Sequence, residues 1–215
     1  MEKKLLLTRS RHDHLNPYLY AYCEEIISDA SVHGWQVNKM DDEDNTMETL
    51  HSRLSKISYN FVFFNGHGYP DCILGYQDKK ILDVSDACLL KGCISYARSC
   101  DALSGLGAEA HKKGCLAFIG YKDKFLLPFV NEYASSPLKD PAAKPVMEVS
   151  NLIAKLLLKG TNVKTAVEAA KAKSVSLILK MLGSIEPFDS ASFTALVHNH
   201  DSLGFEGNSD ARVSE

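Results

Sequence analysis

Apolar positions along this chain fall into two kinds of block. Short, largely apolar runs at residues 5–7, 59–64, 93–97 and 115–120 have the length of strands buried on both faces. Between them, apolar residues recur at three- and four-residue spacing. Leu19, Cys23, Ile26, Ile27 and Ala30 lie between Pro17 and Gly34, which predicts a helix that Pro17 opens and Gly34 ends. Met47, Leu50, Leu54 and Ile57 form a second stripe, with Asn45 and Glu48 as its capping box. Residues 35–40 predict another strand, 71–83 a hairpin, and 85–90 and 108–113 short helices. Two longer helices follow at 147–159 and 163–182, the first containing the core-type run Leu156-Leu157-Leu158. A late strand is expected at 192–197, paired with 202–205.

Strands alternating with helices at this spacing indicate an α/β fold around a mostly parallel sheet of about six strands. The expected organisation is a single domain over residues 1–207 and a disordered tail over 208–215. Pro128, Pro137, Pro141 and Pro145 mark residues 128–145 as a flexible surface loop.

The 215 residues suffice for one sizeable core, and shares of 45% hydrophobic and 24% charged residues are ordinary for a globular protein. A net charge of −3 argues against a nucleic-acid surface, and no apolar run is long enough for a membrane span. The first residues turn polar too soon for a signal peptide. The expected compartment is the cytoplasm, with six free thiols at Cys23, Cys72, Cys88, Cys93, Cys100 and Cys115. None forms a CxxC pair, so a zinc knuckle is not expected.

Two strand exits carry the chemistry. The run at 59–64 ends in Asn65-Gly66-His67-Gly68, and that at 93–97 ends in Arg98-Ser99-Cys100-Asp101. Alone, His67 reads equally well as a loop residue closing a strand, and Cys100 as a small core residue. Together, at the carboxyl edge of a parallel sheet, they can form a thiolate–imidazolium pair. No third, orienting residue is evident.

These two motifs, with the Gly105-Leu106-Gly107 that follows Cys100, resemble the caspase-like cysteine peptidases: caspases, legumain, clostripain, gingipain, separase and the bacterial CHAT domains. The small bacterial caspase-like and CHAT members are the most similar, and the stretch 195–203 looks like their closing element. Asp101-Ala102 after the cysteine, and a His-to-Cys spacing shorter than the roughly 50 residues of caspases, argue against an animal-type caspase. The resemblance implies a three-layer α/β/α sandwich and a cysteine endopeptidase with no cofactor. Cys100 would be the nucleophile and His67 the acid–base, with the N–H groups of Gly68 and Cys100 as oxyanion hole. It implies a protein substrate, room for an activating partner protein, and a setting in regulated proteolysis such as bacterial defence or programmed cell death. The alternative is a catalytically silent caspase-like interaction module.

Strand alternation puts Arg98 on the face of Cys100, where a guanidinium would select an acidic residue before the cut. Equally, Asp71 or Asp101 could neutralise it internally, and Asp101 or Asp123 in the pocket would reverse the preference to basic residues. His198 and His200 on one strand face lack a third metal ligand, and His12 and His14 read as a solvated loop, so no metal is expected. Lysines 155, 159, 164, 171 and 173 read as a solvated helical face.

Overall fold

The structure, a computed structural model, describes residues 2–184 and 189–213. The strands are β1 (Lys4–Arg9), β2 (Gln36–Asp41), β3 (Phe61–Asn65), β4 (Gly68–Tyr69), β5 (Cys72–Leu74), β6 (Lys80–Asp83), β7 (Ile94–Arg98), β8 (Ala117–Tyr121) and β9 (Leu203–Gly207). The helices are α1 (Asn16–Val32), α2 (Met47–Lys56), α3 (Ala108–Lys112), α4 (Ala143–Leu158), α5 (Val163–Leu182) and α6 (Ser190–Ser202).

The main sheet runs β2-β1-β3-β7-β8-β9, parallel except for β9, which pairs antiparallel with β8. Alternation within each strand divides the core. Leu5, Leu7, Phe61, Phe63, Ile94 and Tyr96 pack against α1, α4, α5 and α6, while Leu6, Val62, Phe64 and Ala97 pack on the side of α2 and α3. This is the expected α/β/α sandwich. Strand order reverses between β1 and β3, and parallel sheets bind ligands outside their carboxyl edge at such a switch point. The hairpin β4-β5-β6 forms a second sheet beside that edge.

Several expectations need correction. Residues 192–197 are helical, inside α6, and only residues 203–207 pair with β8. Asp189 caps α6 by accepting from Ser192 N–H at 2.7 Å, a local signal that outweighs the β-branched content of Thr194 and Val197. The cap of α2 is Thr46, not Asn45; buried Asn45 instead donates to Ser10 Oγ. Residues 208–213 are not a free tail, since Ala211 and Val213 are buried and Val163 N–H donates to Ala211 C=O; residues 214 and 215 lie outside the described residues. The Pro-containing connection ends at 142 and is anchored by Asp140. That fully buried carboxylate accepts from Tyr18 OH at 2.8 Å, Val130 N–H at 2.7 Å and Ala142 N–H at 2.9 Å.

Arg98 also departs from expectation. It lies with Tyr96 on the α1/α4 side and is completely buried. It donates to Asn65 Oδ1 (2.8 Å), Asn151 Oδ1 (2.7 Å) and Cys23 Sγ (3.3 Å), with its guanidinium over the Phe63 ring. Neither Asp71 nor Asp101 reaches it, and Asp71 pairs with Lys80 instead. The strand ends at Arg98, so alternation no longer relates its direction to that of Cys100.

Replacing Arg98 by Leu leaves the Asn65 and Asn151 carbonyls buried without donors, at about 1–3 kcal/mol each. We expect Arg98→Leu to lower stability in urea unfolding by about 2–5 kcal/mol. A variant as stable as the parent would show that this network does not hold the strand ends.

Candidate active site

Three strand exits converge at the carboxyl edge of the sheet. The loop after β1 supplies Asp13, the turn after β3 supplies His67, and the turn after β7 supplies Cys100. Asp13 was not singled out from the sequence. Its carboxylate binds His67 Nε2 through Oδ2 at 2.5 Å. Its other oxygen accepts from the N–H groups of Leu15 (2.9 Å) and Asn16 (2.6 Å), which holds the start of α1 and fixes the carboxylate direction. The pairing depends on β1 lying beside β3, which sequence spacing does not reveal; an acid in the loop after the first strand was the one available signal.

His67 and Cys100 line one cleft of about 580 Å³, together with Gly68, Tyr69, Cys72, Leu74, Asp78, Lys80, Asp101 and Lys124. No hydrogen bond joins His67 to Cys100, so the thiolate–imidazolium pair expected from the sequence is not formed here. His67 Nε2 is committed to Asp13, which leaves Nδ1 as the nitrogen that can serve the thiol.

Glycines let the two loops meet. A Cβ on Gly68 would lie 2.8 Å from Cys100 C=O and 2.9 Å from Ser99 Cβ. Gly68 sits opposite Ile73, and Leu74 N–H donates to His67 C=O at 3.0 Å. Residue 68 therefore takes a non-bonded place in the ladder, and its N–H is not engaged by β5. The Cys100 N–H also lacks a hydrogen-bond partner among the described residues. Beyond Cys100 the backbone turns through Asp101 at φ 57°, where Asp101 N–H donates to Asp123 C=O at 3.1 Å. A π-helical turn follows at Leu103–Gly107. A Cβ on Gly105 would lie 2.2 Å from Pro70 C=O, and Leu106 N–H donates to that carbonyl at 2.7 Å. The Gly-Leu-Gly stretch thus clamps the hairpin that follows His67.

The hydrogen bond that His67 donates to Asp13 raises the pKa of His67, against the opposing effect of burial. Burial also acts to raise Asp13, but its bonds to His67 and the Asn16 main chain win and bring it down to about 2. Burial pushes the Cys100 thiol up, partly offset by a hydrogen bond from the Phe125 backbone. The second thiol of the cleft, Cys72, is buried and pushed up to about 11 by burial and by Asp71. Cys100 is the more accessible of the two.

Asp101 lines the cleft; Arg98 does not, and Asp123 reaches the site through its backbone carbonyl. His198 and His200 are on α6, where residues two apart face different directions. His198 binds Lys124 C=O at 2.9 Å and His200 pairs with Asp201. His12 does not sit in a solvated loop: its side chain is 9% exposed and bonded to Asp78 at 3.0 Å.

No family model and no curated protein matches the sequence. Solved structures do match. The Arg-specific cysteine proteinase gingipain R superposes with a TM-score of 0.65 at 10% identity, over 97% of this chain and 47% of that one. A complex of the pro- and mature domains of Porphyromonas gingivalis RgpB gives 0.62 at 10% identity, over 96% and 47%. A structure described only as a protease gives 0.53 at 13% identity, over 99% and 48%. The chain has the caspase-like fold of these neighbours and spans about half the length of each.

The Asp13–His67 pair and the loop contact can each be tested. Asp13→Asn removes the charge that raises His67, so the His67 titration followed by NMR should shift to lower pH; an unmoved titration would exclude the pairing. In the parent, the His67 contribution to stability is full below pH 6.5 and fades as pH rises through its raised folded pKa. The Asp13 contribution is full above its ordinary pKa of 3.8 and fades as pH falls toward 2. Stability of the parent relative to Asp13→Asn should therefore be greatest between these limits. Gly68→Ala should separate the two loops and destabilise by about 1–3 kcal/mol in thermal unfolding; unchanged stability would contradict the close approach.

Proposed function

We propose that this chain is a cysteine endopeptidase in which Cys100 is the nucleophile, His67 the general acid–base and Asp13 the residue that positions His67. The observation that carries this reading is the Asp13–His67 pair opening onto the same cleft as Cys100 from neighbouring strand exits. The caspase-like fold shared with cysteine proteinases adds support. Nothing in a silent interaction module would require a half-buried histidine, oriented by a carboxylate, to share a cleft with an accessible thiol.

The resting site is not pre-ionised, because burial favours the neutral Cys100 thiol. Attack and proton transfer are therefore coupled. His67 Nδ1 takes the Sγ proton as sulfur bonds to the scissile carbonyl carbon, and Asp13 stabilises the imidazolium that results. The Gly68 and Cys100 N–H groups receive the developing oxyanion. The imidazolium then gives its proton to the leaving nitrogen as the C–N bond breaks, leaving a thioester on Cys100. Water, deprotonated by Nδ1, attacks the thioester carbon; the C–S bond breaks, the acid product leaves and the thiolate regains its proton.

The cleft favours a basic side chain before the cut. Asp78 and Asp101 both line it; Asp78 bonds His12 at 3.0 Å, and Asp101 has no ion-pair partner among the described residues. Of the two lysines present, Lys80 is paired with Asp71 at 3.5 Å. Gingipain R, with the same fold, is an Arg-specific proteinase. A protein substrate, and a setting in regulated proteolysis such as bacterial defence or cell death, accord with this reading.

Peptide-library hydrolysis should show cleavage after Arg or Lys; cleavage after Asp or Glu would overturn the assignment of Asp101. Cys100→Ala and His67→Ala should each reduce turnover by about 10⁴-fold or more, and the double variant little further. Asp13→Asn should cost on the order of 10²–10⁴-fold. Turnover by a folded Cys100→Ala protein at the parental rate would end this reading.

A further inference from the structure

The polar cluster behind His67 contains more unsatisfied groups than the proposed reaction uses. His12, Asp13 and Asp78 offer donor atoms that all lie within 4.8 Å of one another. His12 is nine-tenths buried, yet its Nδ1 has no hydrogen-bond partner. Asn16 is 1% exposed, and its side-chain carbonyl is likewise unpartnered. That amide sits within the cluster: its Nδ2 is 3.0 Å from Asp13 Oδ2 and 3.5 Å from His12 Nε2. Two buried groups without partners are costly, at about 1–3 kcal/mol each, and each belongs to a side chain whose other polar atom bonds a carboxylate of the cluster.

We propose that His12, Asp13 and Asp78 form a site for a divalent transition-metal ion of the zinc class, which switches the His67–Cys100 centre off. Donors about 2.1 Å from one ion lie at most about 4.2 Å apart. The Asp78 side chain, more than half exposed, can close the remaining gap by rotation. An imidazole among the donors favours zinc-class ions over calcium or magnesium, which take oxygen ligands. The coupling to His67 is steric and electronic at one atom. Asp13 Oδ1 is held by two backbone N–H groups, so an incoming ion takes Oδ2, the oxygen that binds His67 Nε2. The ion thus displaces His67 from its orienting partner. The inhibitory effect rests on the peptidase reading; ion binding does not.

Binding is therefore tested without turnover. Full-length Cys100→Ala protein is titrated with Zn²⁺ against a chromogenic chelator. One ion per chain is expected, with affinity reduced by about 100-fold or more in Cys100→Ala/His12→Ala. Asp78→Asn, at an exposed side chain that should not disturb folding, is expected to weaken binding as well. Unaltered affinity in both variants overturns the proposal, as does absence of binding. Co²⁺ added to the parent protein supplies the second readout: a thiolate charge-transfer band that vanishes in Cys100→Ala would place the ion on Cys100 instead. If binding holds but the chain proves not to be a peptidase, the metal site stands and its inhibitory role falls.

Discussion

The carboxyl edge of the main sheet depends on a buried cation solvated by neutral groups. Arg98 reaches Asn65 on β3, Asn151 on α4 and Cys23 on α1, and Asn65 passes the connection on to Thr8 C=O on β1 at 3.1 Å. Asn151 in turn donates to Glu25 Oε2 at 3.0 Å, so the compensating carboxylate lies one amide away. A buried guanidinium is tolerated only if its donors are satisfied, and satisfying them ties the ends of β1, β3 and β7 together. Asp13, His67 and Cys100 leave from those three ends. The network touches no part of the cleft, yet it joins the strand ends from which the cleft residues leave.

Electrostatics then separates the roles of the two reactive groups. The Asp13 carboxylate makes His67 more basic, whereas burial keeps Cys100 protonated. Under the proposed reaction, a cleft arranged in this way keeps the Cys100 thiol neutral until a substrate carbonyl brings thiol and imidazole into register. The same arrangement makes Asp13 Oδ2 a control point, since whatever occupies that oxygen decides where His67 stands.

Much of this was readable in the sequence. Long buried runs gave β3, β7 and β8, and the Gly-His-Gly and Ser-Cys motifs put His67 and Cys100 at neighbouring strand exits, because each sits within a few positions of a strong strand signal. Asp13 escaped because its meaning arises only from the adjacency of β1 and β3. Arg98 was open to two readings, and the cleft reading failed because strand alternation stops where the strand does; its actual neutral partners, Asn65 and Asn151, are distant in sequence. The expected strand at 192–197 is instead part of α6, whose start Asp189 caps by accepting from Ser192 N–H. Gly105 shows the opposite case, a motif residue whose purpose, approach to Pro70 C=O, only the structure supplies.

The most direct test of the account is the site of covalent labelling by a peptidyl acyloxymethyl ketone ending in Arg, read by peptide mass mapping. Cys88 is exposed and serves as an internal control for mere thiol accessibility. The account predicts stoichiometric labelling of Cys100, abolished by His67→Ala and not shared by Cys88. Labelling that falls on Cys88, or that proceeds at Cys100 equally well without His67, would contradict it.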